Sequence, residues 1–336
     1  MATIKDVARV AGVSFKTVSR VVNGETNVGA QIRERVEAAI AELGYKPMLA
    51  ARQLAGHRQF IIGLIVPRVG GSYVARMMIA LAAAARRAGY NLITEPMEMD
   101  ALRPGARVAV SFSARPDCVI LTPPFSNDAH VLAHFEAERI GVVRVAAVGE
   151  GYGLPIYVNE EEVSGQLVDH LLGLGHRCIG MVAPPLPVRA SEARLAGYLR
   201  AIERAGIAFD PELVVRGDFS FASGAAGAMA MLALPRRPTA IFAAGDEMAA
   251  GVLAQAGRLG YRVPDDLAVA GFDDAPVARM VFPPLTTVRQ PIDDIAAAAV
   301  EAAVHQRLPA AGFTYELKVR GSTSGDRQLC LDPYRF

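Results

Sequence analysis

Residues 3–23, TIKDVARVAGVSFKTVSRVVN, constrain the fold more tightly than any other stretch of this chain. Two runs of helical length flank a single glycine, Gly12, and valines fall at positions 7, 10, 13, 18 and 21. That spacing supplies a small core shared by two short helices and the turn between them. Thr3 with Asp6 three residues later reads as a weak capping box, and Ser14 reads as the cap of the second helix. Ala8 leaves room for close approach, and Gly12 permits the φ > 0 backbone of the turn. The pattern is a helix-turn-helix, a unit whose second helix enters the DNA major groove.

A third helix follows, with Ile32, Val36, Ala39, Ile40 and Leu43 at helical spacing and Gly44 placed to end it. These three helices make a module of residues 1–45. Residues 46–59, KPMLAARQLAGHRQ, hold too little apolar surface to fold alone and read as a linker that becomes helical on docking. From Phe60 the pattern changes to strands alternating with helices. Strands are expected at 60–66, 91–95, 118–121, 142–148, 178–182, 213–216, 239–243 and 267–271. Helices are expected between them, at 74–89, 128–139, 160–174, 191–205, 222–233 and 246–259. This is the signature of parallel sheets covered by helices on both faces. The alternation restarts after Pro155, so two lobes with a cleft between them are expected. A ligand there would meet the carboxyl ends of the strands. The segment PPLTTVRQP, 283–291, breaks the pattern as a crossing between lobes and feeds a last helix, 292–307.

Charge sharpens this division. The net charge is only +1, yet residues 1–60 hold nine Lys/Arg against five Asp/Glu, and the remainder holds 26 against 29. A basic head on a slightly acidic body suits contact with phosphate. Lys5, Asp6 and Arg9 interrupt any signal-peptide apolar region, and the apolar runs at 60–66 and 79–85 are too short to span a bilayer. No membrane partner is expected. Cys118, Cys178 and Cys330 are far apart and lack metal spacing, which points to reduced, mostly buried thiols in a cytoplasmic protein. The sequence carries no G-x-G-x-x-G after the first strand, no P-loop, no nucleophile elbow and no metal cluster. It offers no catalytic residue, no metal site and no cofactor motif.

With those elements placed, the chain resembles the LacI/GalR family of bacterial transcription factors from Thr3 to about Ser324. The resemblance rests on TIKDVARVAGVS-x-x-TVSRVVN, VEAAIAELGYKP, LAARQLAG, LGH at 174–176, ARLAGY at 193–198, GDEMAAG at 245–251, VAGFDD at 269–274 and PPLTTVRQP, in order and at compatible spacing. It implies a λ-repressor-like helix-turn-helix domain over 1–45 and a hinge helix over 46–59. It implies an α/β core over 60–330, two doubly wound parallel-sheet lobes of the type I periplasmic-binding-protein kind. The N-lobe would comprise about 60–158 and 291–317, the C-lobe about 159–288 and 318–330, with crossings near 158, 289 and 318. It also implies a homodimer. The tail GDRQLCLDPYRF has no Leu heptad of the sort that builds the family's tetramers.

The resemblance places the base readers at Phe15 and Lys16. Lys16 can donate to guanine and Phe15 can press on a thymine methyl. The alternative is that Phe15 packs inside the module and Lys16 meets only phosphate. Thr3, Ser14, Thr17, Ser19, Arg20 and Asn23 read as phosphate positioners, with a core-edge salt bridge as the alternative for Arg20. In the hinge, Leu54 takes the place of the family's minor-groove wedge, beside Ala51 and Arg52, with packing against the core as its alternative. Met48 stands where the family commonly has Asn. Two-fold symmetry then implies a pseudopalindromic operator in double-stranded DNA.

For the cleft, the resemblance assigns Arg194 and Asp273 to a small-molecule effector, as a fork and carboxylate suited to sugar hydroxyls. Gln290, Phe219 and Tyr73 also map there. An interlobe salt bridge is the alternative for Arg194 and Asp273, and ordinary packing for Tyr73 and Phe219. Gly245 replaces the family's Asn, so it lacks an amide and is expected to open space. Asp246 either contacts effector or caps the helix starting there. If Arg68 and Arg144 join Arg194 in the cleft, the effector is anionic or a larger glycoside. The expected function is a regulator, a repressor of a carbohydrate-use operon released by a sugar-like effector. The alternatives are a co-repressor-activated regulator, a periplasmic binding protein and an enzyme.

Overall fold

The computed structural model describes residues 2–22, 27–45, 58–68, 71–103, 106, 108, 110–184, 189–308 and 312–324. The expectations for Asn23, Met48, Ala51, Arg52, Leu54 and Cys330 lie outside these residues. The chain divides into two compact units, Met1–Phe60 and Ile61–Phe336.

In the first unit, α1 (Ile4–Ala11), α2 (Phe15–Val22) and α3 (Ala30–Leu43) surround a core of Val7, Val18, Val21, Val36, Ala39 and Tyr45. The Thr3 amide donates to the Asp6 carboxylate at 2.9 Å, and the Asp6 amide donates back to Thr3 Oγ1 at 3.4 Å. Both halves of the capping box are therefore made. Gly12 ends α1 in the left-handed region (φ 62, ψ 39), and Gly44 ends α3 likewise. Two expected core positions differ. Val10 is 41% exposed and Ile32 38%. The buried face of α1 runs through Val7, Ala8 and Ala11, which leaves Val10 off its edge.

The second unit holds two sheets. The first is built from β1 (Ile61–Pro67), β2 (Asn91–Met97), β3 (Cys118–Leu121), β4 (Gly141–Val145) and β5 (Leu154–Ile156), all parallel, in the order β2-β1-β3-β4-β5. Helices α4 (Ser72–Arg87) and α5 (Ala129–Ala137) alternate with these strands. The second sheet begins after α6 (Glu160–Gly173), with β6 (Ile179–Ala183), α7 (Arg189–Arg204), β7 (Val214–Arg216), α8 (Phe221–Leu232), β8 (Ala240–Ala243), α9 (Asp246–Arg258) and β9 (Ala268–Asp273). It continues through α10 (Val277–Met280), β10 (Thr286–Arg289), α11 (Ile292–His305), β11 (Glu316–Lys318) and α12 (Gly321–Ser324). Its order is β11-β10-β9-β8-β6-β7. Read from β7 to β10, this repeats the arrangement of the first sheet, so each lobe has one point where strand order reverses. Crevices at such points, at the carboxyl ends of strands, are where ligands bind in doubly wound sheets.

The strands form where branched residues cluster: Ile61, Ile62, Leu64 and Ile65 of β1 are all buried, as a strand covered on both faces requires. Three short strands escape the periodicity, namely β5, β10 and the antiparallel edge strand β11. The chain leaves the first lobe between Ile156 and Glu160 and returns after Arg289, where α11 packs on α4, β3 and β4. It crosses for the last time between His305 and Glu316, ahead of the expected position 318, because Glu316–Lys318 already pairs with β10. Cys118 is buried in β3 and Cys178 is half-buried, both as free thiols. Burial pushes the Cys118 thiol up to about 12. Among the described residues no helix is long and apolar enough to cross a membrane.

Candidate DNA interface and effector cleft

On the first unit, the start of α2 presents its side chains outward. Phe15 is 61% exposed and Lys16 is exposed beside it. Phe15 therefore does not pack inside the module. Ser14 Oγ accepts from the Thr17 amide at 3.1 Å and lies 2.9 Å from Thr17 Oγ1, so the cap also orients Thr17. Thr3 is exposed, with its hydroxyl donating to Asp6 at 2.7 Å. Ser19 and Arg20 are half-buried on α2. One element was not foreseen. The Arg35 guanidinium of α3 donates to the Ala11 carbonyl, in the space left by the missing side chain of Gly12. Nothing in the sequence marks Arg35, which falls on the polar face of α3.

In the second unit, the carboxyl ends of β8 and β9 and the amino ends of α6 and α9 meet around Arg194. Its Nε and Nη2 donate to the two oxygens of Glu160, each at 3.1 Å, and Nη1 donates to the Ala244 carbonyl at 2.6 Å. Asp273 Oδ1 lies 3.6 Å from Nη2, and the guanidinium stacks on the Phe272 ring at 3.9 Å. Burial disfavours the cation, but Glu160 and Asp273 outweigh it and hold Arg194 charged beyond its ordinary range. Gln290 Nε2 donates to Asp273 Oδ1 at 2.5 Å. Burial pushes the Asp273 carboxyl up to about 6, against the pull of Arg194 and Gln290. Tyr73 and Tyr315 share this field. Burial, then the charge of Glu160, raises both phenols above their usual range.

The structure thus brings Arg194, Asp273, Gln290 and Tyr73 together. It adds Glu160, Phe272 and Tyr315, which sequence reasoning missed. Glu160 opens the acidic run EEE, which reads as ordinary helix-start charge, and Tyr315 lies in an irregular segment with no motif. Phe219 sits with φ 67, and its ring edge comes within 3.3 Å of where a side chain at Gly245 would begin. The space expected at Gly245 is therefore occupied by Phe219. The first lobe reaches across to the second through the start of α4. The Ser72 amide donates to Glu247 Oε1 at 3.1 Å, joined by its hydroxyl, and Arg76 Nη1 donates to the Asp273 carbonyl at 2.7 Å.

Three expectations need correction. Asp246 is fully buried and both its oxygens are engaged, one with the Ala275 amide at 2.7 Å and one with Thr287 Oγ1 at 2.6 Å. It ties β9 to β10 rather than facing a ligand, and Gly271 leaves the room it needs. Arg68 is 62% exposed and pairs with Glu98 at 2.8 Å, at the end of the neighbouring strand. Arg144 is 2% exposed beneath the 149–151 loop, donating to the Gly149 carbonyl at 3.2 Å. Neither joins Arg194, so the three arginines do not form an anion site.

Comparison with known proteins agrees with this arrangement. Residues 3–48 match the family model for bacterial regulatory proteins of the lacI family, and residues 168–323 match the periplasmic binding protein-like domain. The chain is 32% identical over 335 residues to the ribose operon repressor of Haemophilus influenzae, covering 99% of this chain and 96% of that protein. It is 36% identical over 294 residues to the HTH-type transcriptional repressor PurR of Proteus mirabilis, covering 87% and 86%. Among solved structures, the lac repressor dimer bound to operator and the anti-inducer ONPF superposes with a TM-score of 0.71 at 29% identity, covering 96% of this chain and 99% of that one. An exposed recognition-helix start, two doubly wound lobes and a buried charged cleft therefore have one common reading: the chain belongs to the LacI family of bacterial regulatory proteins and is a DNA-binding transcriptional repressor that answers to a small-molecule effector.

Proposed function

We propose that the chain acts as a cytoplasmic homodimer that represses a carbohydrate-use operon and is released when a sugar-like effector enters the cleft around Arg194 and Asp273. The observation that carries the effector reading is the buried cluster of Arg194, Asp273 and Gln290, with the aromatic side chains of Tyr73 and Tyr315 in its electrostatic field. Hydrogen-bonding groups backed by aromatic faces suit a ring that carries hydroxyls on its edge and C–H on its faces. The name of the ribose operon repressor supports the same class. The cleft lies between lobes that touch through Ser72, Arg76 and Glu247, so a ligand that favours one lobe arrangement shifts the DNA-competent population.

On the DNA side, Phe15 and Lys16 read bases in each half of a pseudopalindromic operator. Ser14, Thr17, Ser19 and Arg20 position the helix on phosphate. Dimerisation is supported by an exposed stripe on α4, Ala75, Ile79, Ala82 and Arg86, at helical spacing, in which Ile79 is 66% exposed. The test is operator selection from random duplexes, followed by titration of the selected site against a panel of sugars at fixed salt, because salt sets the electrostatic share of affinity. The reading requires a selected site with two-fold symmetry and at least one carbohydrate that lowers operator affinity. A ligand that raises affinity would make the chain a co-repressor-dependent regulator. Response to a purine base and to no sugar would remove the carbohydrate reading.

A further inference from the structure

The cleft is built around one guanidinium whose side edge, Nε with Nη2, is already filled by a carboxylate. Its Nε/Nη2 edge lies on both oxygens of Glu160, its Nη1 serves the Ala244 carbonyl, and one flat face is covered by Phe272. Asp273 completes the ring of partners 3.6 Å from Nη2. An incoming carboxylate or phosphate would have to displace Glu160 to take that side edge, and would meet Asp273 beside Nη2. The surroundings oppose this further. Glu160, Asp273 and Glu247 lie close enough that the charges of Glu160 and Glu247 both raise the Asp273 carboxyl. Arg76, the other guanidinium here, spends Nη1 on the main-chain carbonyls of Asp273 and Asp274. Three carboxylates thus share two guanidinium cations.

A buried hydroxyl at the cleft, Tyr315 Oη, lacks a hydrogen-bond partner among the described residues, although Tyr315 lies within the field of Glu160, Tyr73, Arg194 and Asp273. A buried hydroxyl left unpaired is costly, and a neutral ligand hydroxyl satisfies it without bringing charge. Asp273 has one oxygen on Gln290 and accepts further donors at the other. We infer that this cleft selects a hydroxyl-rich ligand without acidic groups, neutral or amino-substituted, that Tyr315 Oη is a ligand-contacting group, and that Glu160 excludes anionic analogues. The inference rests on the effector reading of the cleft given above.

The test is calorimetric titration of the full chain at pH 8 with matched sets. These are glucose, glucosamine, glucuronate and glucose 6-phosphate; galactose and galacturonate; ribose and ribose 5-phosphate; and a purine base for comparison. A neutral or amino sugar should bind, with its acidic counterpart weaker by at least about tenfold. Tyr315→Phe should weaken that sugar by about tenfold while leaving the thermal midpoint unchanged, because no bond of the free protein is lost. Glu160→Gln should narrow the ratio between neutral and acidic ligands. Where that variant unfolds because Arg194 loses its partner, the wild-type ratio and the Tyr315→Phe titration still decide. Equal or tighter binding of an acidic analogue overturns the inference alone, as does undiminished affinity in Tyr315→Phe. Binding of the purine base with no binding of any sugar overturns the inference and the carbohydrate reading together.

Discussion

Single residues carry two kinds of constraint here, and Gly12 shows both. Its backbone is left-handed (φ 62), which costs an L-residue roughly 1–2 kcal/mol. A Cβ added there would also lie 2.8 Å from Arg35 Nη2. Gly12→Ala should therefore destabilise the first unit by about 1–3 kcal/mol and weaken operator binding, whereas effector titrations stay unchanged. Normal helicity and operator affinity in that variant would refute this account. The need for glycine at the turn was legible from spacing alone, but the Arg35 contact was not, because a charged side chain on a polar helix face looks solvated until the third helix is placed. Asp273 carries the pH prediction. Its folded carboxyl sits at about 6, above the ordinary value of 3.8, chiefly through burial. Between roughly pH 4 and 6 the native state binds the extra proton, so this group contributes stability that is lost as pH rises through about 6. Ligand affinity should run the other way, rising through the same window as the charged acceptor forms. Asp273→Asn should flatten both slopes, measured as unfolding midpoints and calorimetric affinity from pH 5 to 8.

Among elements, the long periodic ones were legible and the short ones were not. Helices α4, α6 and α9 carry several turns of periodic apolar residues, and their ends fell within two residues of expectation. Strands β10 and β11 have four and three residues, too few for alternation to register; β10 forms on the edge that β9 offers, and β11 on the edge of β10. This matters for the cleft, since β10 holds Thr287 against Asp246 and leads directly into Gln290. The motifs carry Arg194, Asp273 and Gln290, which the structure brings together. They leave out Glu160 and Tyr315, because a residue's part in a cleft depends on which element ends converge, and that is a tertiary property. The helix starts also make a contact across the lobes, where the first turn of α4 donates to Glu247 of α9. A carboxylate at a helix N-terminus is favourable, and this one joins two lobes. Glu247→Ala should loosen that contact. A ligand must then supply the lost closure energy itself, so its apparent affinity should fall several-fold. The scattering radius of the free protein should also grow. An unchanged radius and affinity would show that the contact holds nothing together.

At the scale of the whole molecule, two functions on separate units have to be coupled, and pairing of chains is the step that gives the coupling force. One helix-turn-helix reads a few base pairs, and its basic excess supplies mostly salt-sensitive, sequence-independent attraction. Two heads joined through their second units bind as one, because the second head meets its half-site at high effective concentration. The surface proposed for joining them is the α4 stripe. Ile79, 66% exposed between Ala75 and Ala82, is the one large apolar side chain of that stripe. Burying it against a two-fold copy is worth roughly 1.5–3 kcal/mol per side chain. The small neighbours let the helices approach closely. A charge there would be desolvated in the pairing. Ile79→Asp should therefore shift the chain from dimer to monomer in sedimentation at micromolar concentration. Affinity for the full operator should fall by at least about a hundredfold, while affinity for an isolated half-site and for the effector is retained. That combination separates lost pairing from lost folding, which would remove all three. A variant that still sediments as a dimer would move the interface away from α4, toward other exposed apolar side chains of the second unit, among them Phe221, Met280 and Phe282.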